Sequence, residues 1–139
     1  MNTVGMLCDR LTVVAMKEWV LRSRLGKPAD ADRLRDSQIR ELIDTLAEIR
    51  PGHSSFTQKV TALKFQAEAA SWEDAYFGLL TTNVLLWEAQ EVLYAGKVQD
   101  LPSEEIRRYI AWFSEGNILR NEYISCCETM YWALVEKTW

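Results

Sequence analysis

The sequence predicts an all-α protein, folded as a single domain over residues 1–139, with four to five helices in a bundle and a long C-terminal helix. Apolar residues recur mainly at spacings of three and four, which is the helical period. No segment alternates apolar and polar residues over the length of a strand, and no Asn-Gly or Asp-Gly hairpin signal occurs. The connections are short, which favours a bundle of neighbouring helices.

The first helix is predicted to begin after a cap at Asn2 or Thr3 and to end near Arg24. Its apolar residues occupy more than one face, so we expect it to pack against several neighbours. A second helix is predicted from about residue 31 to Ile49, with Asp30 as its N-terminal cap. It has one apolar stripe and an otherwise charged surface.

Two capping-box patterns predict the next two helix starts. Ser55, three residues before a glutamine, predicts a third helix beginning at Phe56. Ser71 and Asp74 repeat the pattern, which favours a break near residue 70 and a fourth helix over about 72–95.

The last helix is predicted to start at Pro102 and Ser103, where two glutamates follow at its positive end. If it continues to Trp139, it is about 50–55 Å long. That length is large for so small a domain, so we expect a break at Gly116-Asn117 or a projection into a partner.

The composition limits the classes of partner that we expect for this protein. A net charge of −4 argues against a nucleic-acid partner, and no apolar run is long enough for a membrane span. The N-terminus has no signal-peptide pattern, so a cytoplasmic location is expected. Six tryptophans favour a homo-oligomer, although Trp19, Trp87 and Trp112 are expected in the core.

The cysteines and the single histidine predict neither a metal site nor a cofactor. Cys8, Cys126 and Cys127 are an odd number with one adjacent pair, which is no disulfide framework. We expect buried, reduced thiols with no redox role. His53 lies in a predicted turn, where a lone histidine seldom acts as a ligand.

Two polar stripes interrupt segments that otherwise resemble buried helix, and polar groups facing a core need partners. The candidate ligand-binding residues are these stripes, Asn83, Trp87 and Glu91 with Asn117, Arg120 and Asn121, completed from the first helix by Asp9, Arg10 and Lys17. Arginine binds phosphate or carboxylate, amides bind polar edges, and tryptophan stacks on a base or sugar. Alternatively, Glu88 or Glu91 pairs with Arg120 in a buried network that fixes helix register.

Three segments together carry a resemblance across nearly the full chain. They are residues 3–13 (TVGMLCDRLTV) with Lys17, residues 83–91 (NVLLWEAQE) and residues 117–124 (NILRNEYI). In this order they resemble motifs of an uncharacterised family of small helical proteins of bacteria and phages, often found beside glycan-building glycosyltransferases. This chain departs from the family pattern at Gln90, where an acid is usual. The resemblance implies an all-helical fold and a shared polar cluster, and no activity.

The sequence therefore predicts a non-catalytic protein whose polar cluster binds a nucleotide, a sugar phosphate or a similar anion, in one version as a phage protein that sequesters a nucleotide signal. The alternative is an oligomeric interaction module whose polar cluster only fixes helix register. A magnesium-dependent nucleotide hydrolase is a third hypothesis, because Glu88 and Glu91 resemble half of such a site. The second acidic pair that it needs does not have the required spacing.

Overall fold

A computed structural model describes residues 3–49, 69–95 and 98–138, which form helices and no strand. The helices are α1 (Val4–Ser23), α2 (Pro28–Glu48), α3 (Trp72–Ala95) and α4 (Ser103–Thr138), with a short 3-10 turn at Val98–Asp100. The predicted all-α fold is confirmed, with four α-helices in the described part of the chain. The predicted third helix from Phe56, and the turn at His53, lie outside the described residues.

Helix α1 is the central element, because it packs against each of the other three. Helix α2 returns antiparallel to it, because Arg22 near the end of α1 pairs with Asp32 near the start of α2, while Arg10 pairs with Glu41 further along α2. Helix α4 is also antiparallel to α1, since Asp9 meets Arg120 while Gly5 meets Glu128. This central position explains why α1 is apolar around most of its circumference.

Two of the predicted helix caps are present in the structure, and a third is not. The Thr3 hydroxyl accepts a hydrogen bond from the Met6 N–H at 3.1 Å, and Ser71 accepts one from the Asp74 N–H at 3.1 Å. The predicted cap at Asp30 is wrong, because α2 already begins at Pro28. Proline suits the first helical position, where its fixed φ is helical and no N–H is needed.

Helix α4 runs unbroken for 36 residues, about 54 Å at 1.5 Å per residue. The predicted break at Gly116-Asn117 is wrong. Gly116 is buried in the α3–α4 contact, where an added Cβ would come within 2.5 Å of the Leu86 side chain. The glycine therefore permits close packing between two continuous helices.

The core lies where α1, α3 and α4 meet, with α2 covering the remaining face of α1. It consists of Val4, Leu7, Cys8, Leu42, Ile49, Ala75, Leu79, Ile124 and Cys127. Two tryptophans expected there are largely outside it, since Trp19 is 47% and Trp112 is 44% exposed. Trp72 and Trp132 pack against the core instead. Among the described residues, no helix is both long enough and apolar enough to cross a membrane.

The contact of α1 with α4 is close enough to require glycine at position 5. A Cβ built there would overlap the carbonyl oxygen of Ile124, which is backbone and cannot rotate away. At Gly116 the same addition meets only the end of the flexible Leu86 side chain.

We therefore expect Gly5→Ala to lower the free energy of unfolding by about 2 kcal/mol or more, although alanine is the better helix former by about 1 kcal/mol. Gly116→Ala, the matched control, should cost less than about 1 kcal/mol, because Leu86 can change rotamer. Urea unfolding of both variants measures the difference. Equal stabilities for the two variants would contradict the close contact at Gly5.

Candidate functional site

The Asp9 carboxylate is the centre of a polar cluster between α1, α3 and α4. The guanidinium of Arg120 donates to it twice, from Nε to Oδ1 at 2.9 Å and from Nη2 to Oδ2 at 2.5 Å. The Asn83 amide Nδ2 also donates to Oδ1, at 2.9 Å. One carboxylate thus holds a side chain from each of the other two helices, and the bidentate arginine pair fixes their relative orientation.

Thr12 closes the cluster. Its hydroxyl accepts a second hydrogen bond from Asn83 Nδ2 at 2.6 Å and donates to the backbone carbonyl of Asp9 at 2.7 Å. Both N–H groups of the Asn83 amide are therefore used. Thr12 is fully buried and Asn83 is nearly so, so these hydrogen bonds compensate groups that have lost water.

The two charged groups differ in their access to solvent. The Asp9 side chain is 12% exposed and that of Arg120 is 34% exposed, so the guanidinium lies at the edge of the bundle with the carboxylate beneath it. Hydrogen bonding to Asp9 raises the pKa of Arg120, which keeps the guanidinium charged. The pair is an inward-facing acid covered by a cation.

The structure brings together three of the nine predicted site residues, namely Asp9, Asn83 and Arg120. The predicted pairing of Arg120 with Glu88 or Glu91 is wrong, because its partner is Asp9. Glu88 and Glu91 are both exposed on α3. The hypothesis of a buried network was therefore right about the cation, Arg120, and wrong about its acid, which lies on α1 and not on α3.

Trp87 takes part in a different contact. It is half-buried, and the guanidinium of Arg24 lies 5.0 Å from its ring centroid and 4.8 Å from that of Trp19. Such cation–π contacts are favourable. This contact fastens the C-terminal end of α1 to α3.

The remaining predicted residues lie apart from the cluster. Asn117 is exposed and donates to the carbonyl of Phe113 on its own helix at 2.7 Å. Asn121 is half-buried, and Lys17 is exposed on α1. Arg10 forms its ion pair with Glu41 of α2.

Sequence reasoning missed Glu128, which is only 3% exposed. Its Oε2 accepts a hydrogen bond from the Gly5 N–H at 2.7 Å, and its Oε1 accepts one from the Trp132 indole N–H at 3.1 Å. The carboxylate thus satisfies an otherwise unpaired donor in the first turn of α1 and faces the positive end of that helix. The available signal was an acid within the apolar segment around Cys127, one helical turn before a tryptophan.

This arrangement holds the helices in place and leaves few polar groups of the cluster unengaged. The carboxylate oxygens of Asp9 and the amide donors of Asn83 are engaged by other side chains. The described residues contain no grouping of histidine, cysteine and acids that could hold a metal ion. A cavity of about 240 Å³ lies elsewhere, between α1 and α2, and its lining includes no member of the cluster.

We expect strong energetic coupling between Asp9 and Arg120. Arg120→Ala should lower the free energy of unfolding by about 2–3 kcal/mol, because it leaves a buried carboxylate with only the neutral Asn83 amide. In a double-mutant cycle with Asp9→Ala, the coupling energy should be about 1–3 kcal/mol. Arg10→Ala, which breaks an exposed ion pair, should cost less than about 1 kcal/mol. Additive effects at positions 9 and 120 would contradict the pairing.

Glu128→Gln should also destabilise the protein, by about 1–2 kcal/mol, because the amide carries less charge and turns its NH₂ group towards a donor. Glu115→Gln, at an exposed position on the same helix, is the control with the same chemical change. Thermal unfolding compares the two variants. A melting temperature for Glu128→Gln equal to that of the control would show that the carboxylate does not hold α1.

The comparisons with known proteins add no second line of evidence on this site. The resemblance to the bacterial and phage family remains a prediction from the motifs. The residue interactions described above therefore carry the functional argument. No protein-family model, curated protein or solved structure matches the chain.

Proposed function

We propose that this protein is a non-catalytic helical interaction module, which associates with a second copy of itself through the outward face of α3. The buried cluster around Asp9 fixes the helix register that presents this face. The observation that carries the proposal is a row of exposed apolar side chains on α3, of which Phe77 and Leu85 lie in a segment that has no charge.

The row consists of Phe77, Leu85 and Val92, which are 62%, 42% and 45% exposed. They follow one another at spacings of eight and seven residues, so they lie on one face of the helix. Exposed apolar side chains that share one face of a helix favour a protein–protein contact over isolated exposure.

The charge distribution favours a second copy as the occupant. Between Asp74 and Glu88, α3 carries no charged residue. A chain with a net charge of −4 repels its own kind over most of its surface, and the stretch from Phe77 to Leu85 is where two copies can meet without opposing like charges. A twofold contact would set the same face of each copy against the other.

The core supplies the rigidity that this contact needs. Gly78 lies on α3 beside Phe77, where an added Cβ would overlap the ring of Tyr123 on α4. The Asn83 side chain is bonded to Asp9 and Thr12 of α1. The exposed row therefore lies on a helix whose opposite side is held in place at Gly78 and at Asn83.

The hypothesis of an anion ligand at the polar cluster has less support, because Asp9 already occupies the Arg120 fork. Nothing in the described geometry favours a nucleotide-sequestering function over the interaction module. The free thiols of Cys8, Cys126 and Cys127 support a cytoplasmic location, which we also propose.

We expect the purified protein to be a dimer at micromolar concentration, and Phe77→Lys with Leu85→Lys to make it monomeric without unfolding it. Both positions are exposed, so the substitutions remove apolar contact area and add repulsion without disturbing the core. The control is Ser37→Lys with Asp44→Asn, two exposed positions on α2 that give the same total charge change. Light scattering coupled to size-exclusion chromatography gives the mass.

The control should remain dimeric, and circular dichroism should show equal helix content in all three proteins. A wild-type mass of one chain at these concentrations would refute the proposed self-association. A lysine variant that keeps the mass of two chains would place the contact on another surface.

A further inference from the structure

We propose that Cys8 and Cys127 form a peroxide-sensitive thiol pair, in which Cys8 reacts first and Cys127 resolves it to an intramolecular disulfide between α1 and α4. The sequence places these cysteines 119 positions apart, so only the fold reveals the pair.

The two thiols lie in the same buried core cluster, Cys8 on α1 and Cys127 on α4. Cys127 is fully buried and Cys8 is 6% exposed, and each thiol shifts the pKa of the other. The pair lies between two other connections of the same helices, that of Gly5 with Glu128 and that of Asp9 with Arg120. The helix register around the two cysteines is therefore held from both sides, as a disulfide with its sulfurs about 2.05 Å apart requires.

A small oxidant has a place beside Cys8. This residue lines the apolar cavity of about 240 Å³, together with Val4, Leu7, Leu42, Trp72 and Tyr131. A water molecule occupies about 30 Å³ of liquid, so the cavity has room for hydrogen peroxide next to the sulfur. Cys127 is not part of this lining, which assigns the first reaction to Cys8.

The surroundings also distinguish the two thiols electronically. The Cys127 thiol, and to a lesser extent the Trp72 indole, lower the pKa of Cys8 against the opposing effect of burial. Contact with Cys8, followed by burial, raises the pKa of Cys127. The thiolate is the nucleophile, so Cys8 is the attacking member.

The reaction balances with a hydroperoxide as the oxidant. The Cys8 thiolate attacks one peroxide oxygen, an S–O bond forms, the O–O bond breaks, and hydroxide leaves. The Cys127 sulfur then attacks the Cys8 sulfenic acid, an S–S bond forms, the S–O bond breaks, and the thiol proton leaves with the hydroxide as water. Two thiols are oxidised by two electrons, and one peroxide becomes two waters. A dithiol reductant reverses the change.

Cys126 provides an internal control because it is adjacent in sequence and more exposed than either partner. Burial, followed by the charge of Glu122, raises the pKa of Cys126. If exposure alone governed oxidation, Cys126 would react first. The thiol pair predicts the opposite order.

The test treats the folded wild-type protein with hydrogen peroxide, alkylates the remaining thiols after denaturation, and maps the products by mass spectrometry. We expect loss of two alkylatable thiols per chain, a Cys8–Cys127 cross-linked peptide, Cys126 still alkylatable, and full recovery on reduction. The oxidised protein should melt at a higher temperature than the reduced one, because the cross-link constrains the unfolded chain. A disulfide that involves Cys126, or Cys8 still reduced after Cys126 has been oxidised, would overturn the proposal.

The order of reaction has its own test in Cys127→Ser, with Cys127→Ala as the substitute if serine is not tolerated in the core. Without the resolving thiol, the sulfenic acid on Cys8 should persist and be labelled by dimedone. In Cys8→Ser, position 127 should remain an unlabelled thiol. Label on Cys127 in that variant, or no label on Cys8 in a folded Cys127 variant, would refute the assigned order.

Discussion

The burial of the Asp9 carboxylate is the constraint on which the arrangement of the other helices depends. A buried acid is costly unless it is paired and fully hydrogen-bonded, and here Arg120 and Asn83 meet that need from two different helices. Sliding α3 or α4 by one turn along α1 would leave the charge without its partner. The cluster thus selects one register among the packings that apolar contacts alone would permit.

Glu128 is a second buried carboxylate that needs hydrogen-bond partners, and it finds one at the N-terminal end of α1. It couples the first turn of α1 to α4 through the Gly5 N–H, and Gly5 allows the backbones to approach closely enough for that bond. The Cys8 and Cys127 pair lies between these two polar connections. The α1–α4 contact therefore combines a fixed register with the thiol pair that we propose to be sensitive to peroxide, while the outward side of α3 is the surface that we propose for self-association.

Much of the fold could be predicted from local sequence signals, and the exceptions have physical reasons. The Thr3 cap, the Ser71 capping box and the bounds of α3 follow from short-range chemistry that the sequence displays directly. Gly116 predicted a break because an isolated glycine weakens a helix, but its tertiary role is to admit Leu86. Asn83, Arg120 and Asp9 could be chosen as polar residues in apolar surroundings. Their pairing could not, because helical periodicity does not state which helices are neighbours.

The central claim is that Arg120 forms a structural ion pair with Asp9 and is not an anion-binding residue. Nuclear magnetic resonance of the Arg120 Nε–H and the Asn83 side-chain amide tests it most directly, during titration with inorganic phosphate and with a nucleotide. The account predicts slow solvent exchange of both signals and no saturable shift with either anion. A fast-exchanging Arg120 signal that shifts to saturation would contradict it and identify the cluster as a binding site.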